Sequence, residues 1–415
     1  MSIRPEHIRF LHIARGLAAL FLLWACAGTP EQPAAPVIRL RPADYPVFSD
    51  PAFSDPAFSG QADFAALDAA LFQSLKYLDR VPADRRFSVG EDSYTADQLR
   101  RSFRGLAAFF AERPGPAEVN AFIRKRCRVY RAAGEAATGK VLFTGYFEPL
   151  LFGRRERTET FRFPVYGMPD DLVVLDLGRF SEKLAGKKIK GRVEGRTFVP
   201  YPDRAAINAG AIDRSAPVLC WVRDRVALFF LHVQGSGQIE LEDGTRLHVH
   251  YHGQNGRGYT SIGGVLIREG HIPREKMSMQ AIKSWLAAHP EETDRILHAN
   301  RSYIFFGVEK EGPKGALNVP LTPERSLAVD RRVFPLPGLA FVRIKRPVAD
   351  PKAPPGRILR WEKNNRFMAT QDTGGAIRGA GRADYFWGGG PYAELAAGHM
   401  KHRGDLFFIV MTDPS

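Results

Sequence analysis

Cysteine is scarce, with three in 415 residues. That excludes a disulfide framework, and none of the three has the spacing of zinc ligands. Long apolar runs are missing too, and nothing reaches the length of a membrane-spanning helix. There is no G-x-x-x-x-G-K-[ST] phosphate loop. The nearest stretch, GGAIRGAGR (374–382), lacks the pattern and does not open a helix, so a nucleotide role is set aside. Acidic residues are outnumbered, 45 Asp and Glu against 59 Lys and Arg, for a net charge of +14. Such a balance favours an anionic partner: nucleic acid, anionic lipid or an acidic polymer. The basic runs Arg154, Arg155, Arg157 and Lys187, Lys188, Lys190 lack the aromatic interleaving of an RNA-recognition surface. They read as solvated charge suited to carboxylates or lipid, and nucleic acid is not expected. What the chain has in quantity is core material: 44% hydrophobic residues and 29 Phe, with 25% charged residues, which excludes disorder over most of its length. Its length makes two domains the default.

The N-terminus reads as an export signal over residues 1–25. Arg4, Arg9 and Arg15 precede a short apolar stretch from Gly16 to Ala25. It ends in Leu23-Trp24-Ala25-Cys26, which resembles the bacterial lipobox and makes Cys26 the expected lipidation site; Trp24 departs from the usual small residue. Removing the signal leaves a charge of about +12 and two cysteines, Cys127 and Cys220, which an oxidising compartment would allow to pair. A tether over 26–60 follows. It is rich in Pro and Ala from Thr29 to Pro42 and carries a duplicated SDPAF at 49–53 and 54–58, read as spacer.

Helical periodicity comes next: Phe64, Leu67, Leu71 and Leu75 on one face, Leu99, Phe103, Leu106 and Phe110 on another, and a third helix from about Ala117 to Ala132. After Gly139 the chain turns to short β-type runs: VLFTGYF, LVVLDL, PVLCWV, VALFFLHV, QIEL and RLHVHYH. A helix over Lys276–Ala288 precedes SYIFFGV, LAFVRIKR, RILRW, RFMATQD and DLFFIVM. The class is mainly β with N-terminal helices, without the alternation of a parallel α/β fold.

Three aspartates sit in turn-like contexts near the C-terminus: Asp330 in SLAVDRRVFPL, Asp372 in ATQDTGGAIRG and Asp384 in GRADYFWGGG. An acid that stays protonated near neutral pH needs surroundings that disfavour its charge, and Asp384, followed by Tyr385, Phe386 and Trp387, is best placed for that. Asp372, followed by Thr373, Gly374 and Gly375, has the look of an ionised side chain accepting backbone N–H bonds. On residue type alone, all three equally suit turn or cap roles. His248, His250 and His252 alternate along one strand, which would place them on one face over about 13 Å. Ligands so spread suit a polar face better than a metal site, and no metal or cofactor is expected.

The runs AVDRRVFPL, QDTGGAIRG and ADYFWG resemble the three-aspartate signature of the 3D domain, a double-psi β-barrel. Upstream, GYFEPLL (145–151), HVQGSGQIEL (232–241), GQNGRGYTSIGG (253–264), NRSYIFF (300–306) and GALNVPLTPERSLAVD (315–330) are similar, in the same order, to the MltA family of membrane-bound lytic murein transglycosylases. The resemblance runs from about Lys140 to the C-terminus. It implies a double-psi barrel (61–150 and 300–415) interrupted by a second β-domain (151–299), with a groove between them for the glycan strand. It implies Asp384 as general acid and then base, Asp372 and Asp330 in support, and Thr144, Tyr146, Glu148, Gln234, Gly235, Ser236 and Trp387 as substrate-binding residues. The implied reaction cleaves the MurNAc–GlcNAc bond of peptidoglycan with closure of a 1,6-anhydro ring. The implied place is the periplasmic face of the outer membrane, anchored through Cys26, with other cell-wall enzymes as candidate partners. AIN (206–208) departs from the family where an acidic residue is expected. Two further readings stay open: a glycan-binding barrel without turnover, and a hydrolase that uses water.

Overall fold

The computed structural model describes residues 36–53, 61–136, 138–310, 312–350 and 357–412. The signal segment, Cys26 and the second SDPAF copy lie outside the described residues. In chain order, strand β1 (Val37–Arg39) and helix α1 (Gln61–Leu78) precede the hairpin β2 (Arg86–Val89) and β3 (Asp92–Thr95). Helices α2 (Ala96–Ala111) and α3 (Pro116–Arg126) then lead into β4 (Cys127–Ala132) and β5 (Val141–Glu148). The middle of the chain holds β6 (Leu150–Arg154), β7 (Phe163–Tyr166), β8 (Val173–Asp176), β9 (Lys188–Glu194) and β10 (Thr197–Pro200). It continues with α4 (Arg204–Asn208), β11 (Val218–Val222), α5 (Arg225–Gln234), β12 (Ser236–Leu241) and β13 (Arg246–Gln254). Helices α6 (Ile262–Arg268), α7 (Met279–Ala288) and α8 (Thr293–His298) come before β14 (Ile304–Glu309). The last part is β15 (Ser326–Val329), β16 (Gly338–Ala349), β17 (Ile358–Asp372), β18 (Arg382–Gly389), α9 (Pro391–His399) and β19 (Lys401–Met411).

Two large β systems result, beside a three-stranded sheet β10-β9-β8 and the β2-β3 hairpin. One sheet runs β1-β4-β19-β16-β17-β15-β18-β5 and closes through a second pairing of β5 with β19; this is the double-psi barrel. The other runs β14-β13-β12-β6-β11-β7, with its edge strands β14 and β7 packed together, and it interrupts the first in sequence. The barrel interior is dominated by phenylalanine, as the composition suggested. Phe367 of β17 contacts Phe341 of β16, Phe48, Phe53 and Phe110, with ring centroids 5.0 to 6.0 Å apart. Helices α1 and α2 cover β17 and β19. Gln371 donates to Ala70 O and Ser74 Oγ of α1, and the Met411 N–H donates to Ser102 of α2.

Several local readings change. Residues 37–53, read as part of the tether, are packed into the fold. β1 pairs with β4, while Phe48, Phe53 and Asp50 are buried. The third helix ends at Arg126, because Cys127–Ala132 is taken up as a strand between β1 and β19. VALFFLHV is a helix rather than a strand. Asp224 accepts from the N–H groups of Val226 and Ala227 at its start, and Gly235, at φ 79°, terminates it in the left-handed conformation. Its strand-like composition reflects burial, which applies to helix and strand alike. Cys127 and Cys220 are free, buried in different β systems, and burial pushes both thiols up to about 12.

The barrel holds a buried ionic network. Arg325, fully buried, donates to Asp50 Oδ2 (2.6 Å), Phe367 O (2.8 Å) and Asp63 Oδ1 (2.8 Å). Arg366 joins Asp63 at 2.5 Å and Glu324 at 3.0 Å. Burial opposes charge on Asp63, yet Arg325 and Arg366 outweigh it and hold that carboxyl below the usual range. Replacing Arg325 with Met removes the 2.6 Å partner of buried Asp50 and leaves it only Arg366 at 3.7 Å and the N–H groups of Ala52 and Phe367, at an expected cost of about 3 kcal/mol. The urea midpoint should fall accordingly, and adding Asp50→Asn should restore part of it.

Candidate active site

The short strand β15 decides where the aspartates meet. Ala328 at its centre is in register with Asp372 of β17 on one side, in parallel pairing, and with Asp384 of β18 on the other, antiparallel. Asp384 is in turn opposite Thr144 of β5. One row across the sheet thus reads Asp372, Ala328, Asp384, Thr144. At two strand spacings, the aspartate Cα atoms are about 10 Å apart.

Side-chain alternation then sorts the neighbours. Asp384 and Phe386 face one side of β18, with Tyr146 of β5. Phe386 and Tyr146 have ring centroids 5.0 Å apart and form a small apolar cluster with Leu321 and Ala328. Tyr385 and Trp387 face the other side. Trp387 is 4% exposed and packs against Tyr385 and Gly145, so the structure does not bring it to the aspartates as a groove residue.

Asp384 accepts a 2.7 Å hydrogen bond from Thr144 Oγ1, and Arg382 reaches the same hydroxyl at 3.4 Å. The carboxyl keeps some open surface but is densely surrounded by protein. That burial pushes its pKa up to about 7; Asp372 adds to the rise, while Thr144 and Arg382 oppose it. Asp372 accepts N–H bonds from Thr373 (2.8 Å) and Ala316 (2.9 Å), the pattern its sequence context suggested. Burial nonetheless raises it to about 6, so it titrates just below neutrality instead of in the ordinary carboxylate range. The Tyr146 hydroxyl is buried near Asp372 without a hydrogen bond of good geometry. Burial, then the charges of Asp372 and Asp384, push that phenol well above its usual range.

Asp330 has another setting. It is fully buried, held by Arg332 Nε (3.0 Å) and an Arg332 terminal nitrogen (2.7 Å), and it accepts the Gly379 N–H at 2.8 Å. Its contact with Arg332 keeps it far below the usual range. It ties down the glycine-rich link between Asp372 and Asp384 and remains an anion.

Farther along β5, Glu148 is 7% exposed and accepts from Gln238 Nε2 at 2.9 Å. Its second oxygen lies 3.7 Å from His248 Nδ1, and neither atom has a hydrogen-bond partner. Gln234 accepts the Phe147 N–H at 3.1 Å; Gly235 makes the turn, and buried Ser236 opens β12. The start of β12 thus adjoins the Phe147–Glu148 end of β5, through Gln234 on the Phe147 N–H and Gln238 on Glu148, with Tyr146 and Thr144 farther back along the same strand. The three histidines do not form one group: the His250 and His252 rings have centroids 6.3 Å apart, whereas His248 is directed at Glu148. His248 faces Glu148, His250 lies 3.7 Å from Glu309, and a bulge follows Tyr251 at His252. Among the described residues no three His, Cys, Asp or Glu side chains are grouped to hold a cation.

Sequence reasoning missed Arg382, Gln238, the placement of His248 beside Glu148, and the Ala316 N–H. Arg382 and Asp384 are two apart on a strand, which is a readable signal. The Ala316 N–H is a backbone donor and leaves none.

Comparison with known proteins places these elements. A family model described as the MltA specific insert domain matches residues 142–307, and one described as the 3D domain matches 325–410. The chain is 35% identical over 272 residues to membrane-bound lytic murein transglycosylase A of Vibrio cholerae, a stretch spanning 65% of each protein and so just under two thirds of that relative. Among solved structures, MltA from Neisseria gonorrhoeae in its monoclinic form is 31% identical with a TM-score of 0.65, covering 89% of this chain and 92% of that one. Escherichia coli MltA with bound chitohexaose is 26% identical with a TM-score of 0.66, covering 91% and 95%.

The raised carboxyl of Asp384 has a consequence for stability. Its folded pKa of about 7 exceeds the unfolded value of about 3.9, so the native state binds the extra proton and wild-type stability falls as pH rises between the two. Asp384→Asn removes that dependence. Its Tm advantage over wild type is expected to be larger at pH 8 than at pH 5, and an equal advantage at both would show that the carboxyl is not desolvated.

Proposed function

Because the chain belongs to the MltA family, we propose that it is a lytic transglycosylase acting on peptidoglycan, with Asp384 as its single acid and base. The observation that carries this reading is a carboxyl raised to about 7 in the barrel sheet, fixed by Thr144 of the strand that runs on into the inserted domain. A glycan strand lies along Thr144, Tyr146 and Glu148 on one side and Gln234, Gly235 and Ser236 on the other. The related protein solved with bound chitohexaose supports a glycan as the occupant.

The chemistry follows from proton placement. Thr144 holds one oxygen of Asp384, leaving the other to carry the proton. That proton passes to the bridging oxygen as the MurNAc–GlcNAc bond breaks through an oxocarbenium-like state. The resulting carboxylate takes the proton of the muramyl 6-hydroxyl, whose oxygen bonds to the anomeric carbon and closes the 1,6-anhydro ring. No water is consumed, so no second carboxylate has to activate one. Asp372, mostly ionised at neutral pH, favours the protonated form of Asp384 and the developing positive charge beside it. Asp330 supports the loop between them.

We also infer anchoring at the periplasmic face of the outer membrane through lipid on Cys26. The lipobox-like LWAC, Ala27 after it, and the membrane-bound description of the relatives support this. Cys26→Ala should move the protein from the membrane fraction to the soluble one.

Incubation of the protein with purified sacculi should release fragments lighter by one water than the corresponding hydrated muropeptides, read by mass spectrometry before reduction. Hydrated masses would make the protein a hydrolase, and no fragments would leave a binding barrel. Turnover should decline as pH rises through about 7, and Asp384→Asn should lower kcat by about 10²–10⁴-fold.

A further inference from the structure

The strand bearing Thr144, Tyr146 and Glu148 continues past the domain border, with only Pro149 separating β5 from β6. Its alternate residues Leu150, Phe152 and Arg154 stay on the outer side, while Leu151 and Gly153 face the inserted domain's core. Phe152 is 47% exposed and lies about 13 Å beyond Glu148 along the strand. On the neighbouring β11, Cys220 and Val222 point inward, so Trp221 and the next residue, Arg223, point to the same outer face. The Arg223 guanidinium sits over the Phe152 ring at 5.2 Å, and that of Arg157 over Trp221 at 5.6 Å.

These two arginines differ from Arg154, Arg155 and Arg246 beside them. Arg154 is paired with Glu242 at 2.5 Å, Arg155 with Asp243 at 3.8 Å and Arg246 with Glu240 at 2.9 Å. Arg157 and Arg223 are exposed and form no ion pair among the described residues. Asp224, beside Arg223, is committed to the first N–H groups of α5. A guanidinium held over an aromatic ring and free of an acidic partner keeps N–H groups available for a carboxylate. Because acidic residues are interleaved, the face lacks the uniform positive field that suits a membrane plane; it suits discrete carboxylates at set positions.

We propose that Phe152 with Arg223 and Trp221 with Arg157 form a docking surface for the carboxylate-bearing peptide stems of the glycan strand whose scissile bond lies at Asp384. The surface is continuous with Thr144, Tyr146 and Glu148 through one strand and complementary in charge to those stems. It rests on the proposed activity for its substrate, and its function is selection of stem-bearing over bare glycan.

The test is sedimentation of the protein carrying Asp384→Asn with intact sacculi and with sacculi stripped of stems by an amidase, so that binding is read without cleavage. Adding Arg157→Gln and Arg223→Gln should weaken binding to intact sacculi about tenfold, the scale of one charge-assisted contact, and leave binding to stripped sacculi unchanged. Equal weakening on both, no weakening on either, or weakening confined to vesicles of anionic lipid would overturn the proposal. In the otherwise wild-type protein the same pair should raise KM for stem-bearing strands with kcat unchanged. If the parent cleaves neither substrate, the transglycosylase reading fails, while sedimentation still decides whether the surface binds stems.

Discussion

A fully buried guanidinium holds the barrel sheet in register. Arg325 immediately precedes β15, the four-residue strand that places Asp372 and Asp384 on either side of Ala328. Its partners Asp50 and Asp63 come from the N-terminal segment and α1, and its third acceptor is the backbone of β17. At the far end of the same strand, Asp330 is fixed by Arg332 and by the Gly379 N–H. So short a strand has few ladder bonds of its own, and charge at both ends supplies what its length cannot. Isolated buried ions would be costly here; these are tolerated because each has hydrogen-bond partners.

Electrostatics serves opposite ends within this small region. Asp330 is surrounded by donors and remains an anion, which suits a structural tie. Asp384 has a single strong donor and apolar neighbours, so its neutral form persists up to about pH 7. Asp372 lies between the two, with backbone N–H bonds that favour charge and burial that opposes it. Three aspartates of the same chemistry are separated by what surrounds each one. The protein carries a strained protonation state at Asp384 and compensates for it in the ion pairs and phenylalanine packing beneath.

The mainly β class, the first two helices and the C-terminal strands were readable from periodicity. The order of motifs carried the family resemblance. Asp384 stood out in the sequence because three aromatic residues follow it, yet only Phe386 shares its face; Tyr385 and Trp387 fill the core behind. The remaining apolar neighbours, Tyr146, Leu321 and Ala328, come from distant segments that no local window brings together. Residues 37–53 were misread because proline and alanine suggest a tether, whereas one aspartate and two phenylalanines in that run are anchored by side chains hundreds of positions away. The 226–233 segment shows the limit of composition: its apolar residues say that it is buried, and a capping aspartate and a glycine say that it is a helix.

Thr144 and Asp384 are 240 residues apart, with the whole inserted domain between them. A ribosome therefore delivers β5 long before its partner β18, and the edge of β5 waits unpaired while β6, β11 and β12 complete their own sheet. The inserted domain can mature first and hold β5 extended from its far end. The barrel closes only when β18 and β19 arrive, so Asp384 and Thr144 are brought together by one of the last strand pairings of the chain. The carboxyl of Asp384 therefore has no partner hydroxyl until synthesis of the chain is nearly complete.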